Sequence, residues 1–471
     1  MTALELALYA LLLAVAAVAV WRRPVVALFL FLVGLALHNA VLAALYGAGI
    51  RGSTLTAIAA WKEILLAVAL ARVVCTAVRT RTPPFVWRVA DWLAVAFALL
   101  CVVYALIPQS ALGGQAGHRA VALGLRHDVV PVGAYFLGRS LVVTRREWRA
   151  LVWTLFGVAA AVAAWGLIDV YAIPISWWRQ SAVVDYFRKH LGYDYHGTGN
   201  LPENFIYNVG GDRPFLRRLV TTFLSPLASG YLFVVALLVG VRRGRAALAL
   251  AVVVFAGLLW TFSRSSLVAL AGGLVVLALL RRSAFALGGA ALVIVVAVAW
   301  AHAFPHIAPT GQFTRADLRY QHRQAEKGPQ GSFSAVSEDE PSLHEHWQSL
   351  KDGVRTMADH PQGYGLGNVG QVASRTKTPL QAGESNYTEL GVELGVLGSL
   401  LWIAWGLAVL VGLARSRALR MCAAFAAVLA LAVQTDVIGD PWVAYCVWGL
   451  AGAALFRTRP QERLAAEPSP A

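Results

Sequence analysis

Three groups of residues combine types and spacing that could do chemistry. The first is Arg264, set in Thr261-Phe262-Ser263-Arg264-Ser265-Ser266, a polar break between two short apolar runs. A guanidinium presents a planar fork of donors that matches phosphate oxygens, and Ser263 and Ser265 can add hydroxyl donors. The second is Arg217 and Arg218, which open another apolar run and are followed by Thr221, Thr222, Ser225 and Pro226. Basic residues at a helix start oppose its macrodipole. A bound anion would offset that, and the helix terminus adds backbone N–H groups. The third is Glu384, just before Ser385-Asn386-Tyr387 and a further apolar run. A carboxylate desolvated at a membrane interface can act as a general base. Together these residues describe an anion clamp and a proton acceptor. Each has a plainer reading: Arg264 as a snorkelling interfacial arginine, Arg217 and Arg218 as a solvated loop end, and Glu384 as an acid satisfying helix N-terminal donors.

The elements that must position these residues are membrane helices. The chain has 471 residues, 58% of them hydrophobic and 14% charged, with a mean hydropathy of +0.62. Ordinary soluble domains carry about 25% charged residues, so a soluble enzyme, a disordered chain and a fibrous protein are excluded. Apolar runs long enough to span a bilayer recur near 3–20, 25–45, 54–78, 89–107, 128–143, 150–172, 219–240, 246–262, 266–280, 283–301, 389–413, 419–436 and 441–456. They are continuously apolar rather than alternating, which selects helices over a β-barrel. The expected fold is an all-α polytopic membrane helix bundle of about 12–13 transmembrane helices.

The net charge of +15 reflects topology, not nucleic-acid binding, because the arginines cluster between apolar runs. These clusters are Arg22/Arg23, Arg79/Arg81/Arg88, Arg145/Arg146/Arg149, Arg242/Arg243/Arg245, Arg281/Arg282, Arg415/Arg417/Arg420 and Arg457/Arg459/Arg463. Thirteen spans put them all on one side, which the positive-inside rule makes cytoplasmic. The expected organisation is N-terminal helices over 1–172, a first long outer loop over 173–217, helices with the arginine motif over 218–301, a second outer loop over 302–388, C-terminal helices over 389–456 and a cytoplasmic tail over 457–471. The second loop should hold a helix near Ser342–Asp359, with Trp347, Leu350, Val354 and Met357 on one apolar face. The first apolar run lacks a basic leader and reads as a retained span.

Other polar residues are weaker candidates. Lys62 and Glu63 are adjacent and should face different sides of their helix. Arg72 suits a snorkelling role, and Arg139 and Asp169 suit contacts inside the bundle. His344-Glu345-His346 resembles a metal fragment without further ligands. Cys75, Cys101, Cys422 and Cys446 lie in apolar runs with no CxxC pair, so neither a disulfide framework nor a zinc site is expected. The aromatics Trp177, Trp178, Tyr186, Phe187, Tyr193 and Tyr195 suit interfacial anchoring. No phosphate-cradling loop, HExxH or GxSxG setting is present. No metal and no cofactor are expected.

Four segments in order resemble the O-antigen ligase and O-antigen polymerase superfamily, which are polytopic membrane glycosyltransferases using undecaprenyl-pyrophosphate-linked saccharides. They are Arg218-Leu-Val-Thr-Thr-Phe223-Leu-Ser225-Pro226, then Thr261-Phe262-Ser263-Arg264, then His360-Pro361 with Gly363, Gly365 and Gly367, and finally Glu384-Ser-Asn-Tyr387 followed by Glu393, Gly395 and Gly398. The resemblance covers roughly residues 210–405 and is similar to the family in placing the long outer loop between the second and third segments. It implies that Arg218 and Arg264, with Arg217 beside them, hold the donor pyrophosphate. His360, Ser263 and Tyr387 would support the site. The family's base is a histidine near the loop exit, and here Glu384 stands at the matching place. That departure favours polymerisation of a lipid-linked repeat over ligation.

The implied function is metal-independent, inverting transfer of a saccharide to an acceptor hydroxyl at the outer face of a bacterial inner (plasma) membrane, in cell-surface polysaccharide assembly. The implied partners are the lipid-linked saccharide donor, a saccharide or lipid acceptor and membrane lipids. The rival is a transporter or flippase of lipid-linked saccharide, which needs the same basic cavity but no base. Transporters of that kind usually show paired repeats and broken midplane helices, and no repeat is visible here.

Overall fold

The computed structural model describes residues 3–193, 201, 205–207, 215–240, 244–310, 319 and 341–456. Arg242, Arg243, Tyr195 and the cluster from Arg457 onward lie outside the described residues. In chain order the helices are α1 (Ala3–Arg22), α2 (Val25–Gly47), α3 (Gly52–Ala59), α4 (Trp61–Thr80), α5 (Val89–Leu106), α6 (His118–Ser140), α7 (Arg145–Ala172), α8 (Ile175–Gln180) and α9 (Ala182–Asp185). After the strands β1 (Ile206–Tyr207) and β2 (Leu216–Arg217) follow α10 (Pro226–Gly240), α11 (Arg245–Trp260), α12 (Arg264–Arg281), α13 (Ala284–Ile307), α14 (Pro341–Asp359), α15 (Gly370–Thr376), α16 (Asn386–Arg415), α17 (Leu419–Leu431) and α18 (Trp448–Phe456).

The fold is an all-α polytopic bundle. Among the described residues, seven helices are long and apolar enough to cross a membrane, and four shorter apolar segments accompany them. Every expected span meets a helix, with four differences of detail. The third span is broken between α3 and α4 at Ala60. The fifth starts ten residues early, at His118, because its first turns are polar. The seventh begins at Pro226 rather than residue 219. Inside α16, Gly395 has φ 73° and ψ 177°, a conformation open to glycine, so the helix is two pieces meeting at a kink.

Large side chains point both ways, as lipid requires. Phe285, Val268, Leu279 and Leu106 are exposed, while Trp402, Trp405, Trp448, Phe97 and Tyr135 are buried together. Trp405 and Trp448 stack at 4.1 Å. Inside this core Asp91 is fully paired. Arg139 Nε and Nη2 bind Asp91 Oδ1 and Oδ2 at 2.8 and 2.9 Å, and Tyr135 donates to Asp91 Oδ1 at 2.7 Å. Arg139 is thus an internal contact. Lys62 is buried against His38 and the Ala59 carbonyl. Contrary to the expectation from adjacency, it also lies 3.6 Å from Glu63, which Arg126 holds at 2.7 Å.

Four of the basic clusters, at Arg22/Arg23, Arg145/Arg146/Arg149, Arg281/Arg282 and Arg415/Arg417/Arg420, meet at one end of the bundle. Arg23 pairs with Glu147 at 2.6 Å, joining the α1–α2 and α6–α7 turns. Arg281, Arg417 and Arg420 line one pocket with Trp148. At the opposite end, α14 packs on the start of α16. Its buried contact is made by Gly353 against Thr388, and by Met357 against Gly391. Trp347 and Val354, expected on the same apolar face, are exposed.

Candidate functional site

The chain enters the site extended, not helical. β2 pairs antiparallel with β1, with Ile206 opposite Arg217 and Tyr207 opposite Leu216. Its other edge takes an isolated bridge from Leu216 to Thr310, and Arg217 N donates to the Pro309 carbonyl at 2.8 Å. Alternate side chains along an extended segment point to opposite sides, so Arg217 and Arg218 part company.

Arg217 turns into the bundle. Its Nη2 binds Asp169 Oδ1 at 3.0 Å and its Nη1 donates to the Ile173 carbonyl. Trp178 Nε1 binds the same carboxylate oxygen at 2.8 Å. Burial pulls the Arg217 pKa below its ordinary value, against the pull of Asp169. Expected beside the pyrophosphate, Arg217 instead ties the first outer loop to α7, and Asp169 is its internal partner.

Arg218 turns the other way, and its Nε donates to the Thr261 carbonyl at 2.8 Å. Leu219 N donates to the Trp260 carbonyl at 2.9 Å. These are acceptors at the C-terminus of α11, where carbonyls lack intrahelical partners and a cation is favoured. The segment 218–219 therefore caps α11, and Arg218 is held against the turn that carries Arg264.

That turn is tightly built. Phe262 has φ 49° and stacks on Phe304 at 4.1 Å. Ser263 is the N-cap of α12, accepting from Ser266 N, and its hydroxyl lies 2.8 Å from Ser266 Oγ and 3.3 Å from Ser265 Oγ. Arg264 is the first residue of α12, at its positive end, with the guanidinium 5.9 Å from the centre of the Tyr207 ring. A Cβ on Gly230 of α10 would lie 2.5 Å from Ser266 Oγ, so only glycine lets α10 approach.

The second half of the entry segment is locked as well. Thr221 and Leu224 have φ of 54° and 56°, a left-handed conformation that costs such residues about 1–3 kcal/mol each. Neighbouring contacts impose it. Thr221 Oγ1 lies 2.8 Å from Ser229 Oγ, Thr222 Oγ1 donates to the Ala36 carbonyl at 2.6 Å, and Asn39 Nδ2 donates to the Phe223 carbonyl at 2.9 Å. Backbone strain of this kind concentrates where a geometry is functional.

Glu384 stands apart from the capping role considered for it. Ser385 is the N-cap of α16 and shares a capping box with Thr388. Glu384 Oε1 pairs with His346 Nδ1 of α14 at 2.7 Å, and both side chains remain partly exposed. Local spacing assigned His346 to a weak metal fragment. Its partner is 38 positions away, and no local signal could have paired them.

Two expected supporting residues have structural partners. His360 Nε2 lies 2.8 Å from the Leu112 carbonyl, and the ring stacks on Tyr364 at 4.0 Å. Tyr387 donates its hydroxyl to the Leu429 carbonyl at 2.8 Å. The glycines after His360 let the loop settle on α16. Gly363, Gly365 and Gly367 have positive φ, and a Cβ on Gly363 would lie 2.4 Å from Gly395 N.

Fold and site define a polytopic helical membrane protein with two arginines gathered at one inter-helix turn and a carboxylate–histidine pair at the exit of its long loop. Residues 249–403, about a third of the chain, match the family model described as O-Antigen ligase. The match includes the Arg264 turn, the His360 segment and Glu384, and it begins after Arg218. No curated protein matches the chain.

Proposed function

We propose that the protein transfers a saccharide from undecaprenyl pyrophosphate to an acceptor hydroxyl at the outer face of a bacterial plasma membrane, as an O-antigen polymerase or ligase does. The observation that carries this reading is the Arg218 bond to the Thr261 carbonyl. It gathers the two arginine motifs, 46 residues apart in sequence, around one turn. Two guanidinium groups there suit a pyrophosphate, which leaves carrying charge that preorganised donors stabilise.

The reaction is a single displacement. The acceptor oxygen bonds to the anomeric carbon as the bond from that carbon to the pyrophosphate oxygen breaks, so the anomeric configuration inverts. The acceptor proton goes to Glu384, beside which His346 stands at 2.7 Å. Arg218 and Arg264 neutralise the departing polyprenyl pyrophosphate without a metal. Polymerisation is favoured over ligation, because a carboxylate stands where the ligase family places a histidine.

The test uses purified protein in nanodiscs with lipid-linked saccharide, chelator and no nucleotide, followed by mass spectrometry. A lengthening lipid-linked ladder supports the polymerase, and transfer to an added acceptor supports the ligase. Donor binding without cleavage would replace both by the transporter.

A further inference from the structure

A second cluster of titratable side chains shares no residue with the arginine turn, and the reaction does not use it. His127 and Asp128 of α6, Glu389 and Glu393 of α16, and Asp436 in the turn after α17 come together. All four carboxyl side chains are buried. His127 Nδ1 is 2.8 Å from Asp128 Oδ1, and its Nε2 is 3.0 Å from Asp436 Oδ2. The other Asp436 oxygen accepts from Asn386 Nδ2 at 2.6 Å and from Gly439 N at 2.9 Å. Glu393 Oε1 accepts from Gly367 N at 2.7 Å. Glu389 Oε2 and Asp128 Oδ2 are buried with no hydrogen-bond partner. Ligand atoms of His127, Glu389 and Asp436 all lie within 4.8 Å of one another.

We propose that His127, Glu389 and Asp436 bind one divalent transition cation, Zn2+ or Mn2+. Three observations carry this. The first is charge: among the described residues, no lysine or arginine pairs with any of the four carboxylates, His127 is the one basic side chain paired with them, and buried charge in excess of its counter-charge is strongly disfavoured. The second is the orphaned Glu389 oxygen, an acceptor aimed into the cluster that a cation would satisfy. The third is the imidazole. A histidine that donates from one nitrogen to a carboxylate and presents the other to a metal is the usual second-shell arrangement, and Asp128 fits the outer place. Two donors each about 2.1 Å from one ion span about 3.0 Å at a right angle, which is the His127 Nε2 to Asp436 Oδ2 separation. A nitrogen donor with carboxylates selects Zn2+ or Mn2+ over Mg2+ or Ca2+.

The ion would pin α6, α16 and the 432–440 turn beneath the glycine loop. Gly367 N already rests on Glu393, and a Cβ on Gly370 would lie 1.9 Å from Glu389 Oε1. So buried an ion exchanges slowly, and transfer in the presence of chelator is compatible with its retention.

The test is metal content by mass spectrometry on untagged protein, from cells supplied with both metals and dialysed against chelator. About one Zn2+ or Mn2+ per chain is expected, falling at least fivefold in Asp436→Asn and in Glu389→Gln. A His344→Ala/His346→Ala variant should keep its metal. X-ray absorption on the wild-type protein should show one nitrogen with oxygens in the first shell, which tests the site even where a variant does not fold. Less than a tenth of an ion per wild-type chain would overturn the proposal. So would metal lost only from the His344/His346 variant, or infrared bands of protonated carboxyls that vanish in Glu389→Gln.

Discussion

Replacing Arg264 by alanine separates the clamp from the interfacial anchor. If the guanidinium stabilises the departing pyrophosphate, its loss removes one preorganised donor. That costs about 100- to 1000-fold in kcat, or about 2.7–4 kcal/mol. The effect on stability works out differently. Arg264 is the first residue of α12 and opposes its macrodipole, so removal gains about 0.3–1 kcal/mol. The variant also loses the guanidinium beside the Tyr207 ring at 5.9 Å, worth about 0.5–1 kcal/mol at a partly exposed site. These two terms nearly cancel. The assay is single-turnover transfer from lipid-linked saccharide, run beside thermal unfolding and size-exclusion profiles of the same samples. A two-order loss of transfer with an unchanged melting curve is expected. Transfer within threefold of wild type would refute the clamp, and so would a loss of transfer that follows a loss of folded protein.

Arg217→Ala should show the reverse balance. It leaves Asp169 buried without its cation, which costs about 3–5 kcal/mol, and a melting temperature equal to wild type would remove Arg217 from that structural role. Glu384→Gln keeps shape but not the carboxylate, and should lower kcat by about 100- to 10,000-fold with donor affinity unchanged. Glu384→His should retain part of the activity, and wild-type rates in the Gln variant would remove the base assignment. Gly395→Ala puts a Cβ 2.4 Å from the Pro361 carbonyl at φ 73° and should destabilise by more than 1 kcal/mol. Denaturation in detergent checks this, and a neutral result would mean that the kink relaxes.

The apolar runs were legible because lipid demands uninterrupted hydrophobic length, and the helices fall where those runs do. Polarity hid the rest. The first turns of α6 carry His118, Arg119, Arg126, His127 and Asp128, so a criterion based on apolar length begins ten residues late. The start of α10 was signalled by Pro226, which suits a first helical position, but the apolar residues from Leu219 onward drew the boundary back. Nothing local shows that Thr221 and Leu224 are left-handed, since neither is glycine and the surrounding contacts are with α2 and α10. Arg218 stood out because charge at a helix start is locally unfavourable, and Arg264 because it sits in a polar break between two short apolar runs. That Arg217 faces away from them follows from the extended backbone, which a helical reading missed. The pairs Arg139–Asp91, Arg217–Asp169 and Glu384–His346 join residues 38 to 48 positions apart, beyond the reach of any spacing rule. The same holds for the His127 cluster, whose ligands come from three separate elements.

The most direct test of the central claim is release of polyprenyl pyrophosphate by the purified protein. Wild-type chains in nanodiscs, given lipid-linked saccharide, should produce free polyprenyl pyrophosphate and an equal amount of new glycosidic product, and Arg218→Ala and Arg264→Ala should produce neither while remaining folded. Donor that binds and crosses the bilayer with its sugar–pyrophosphate bond intact would contradict the account.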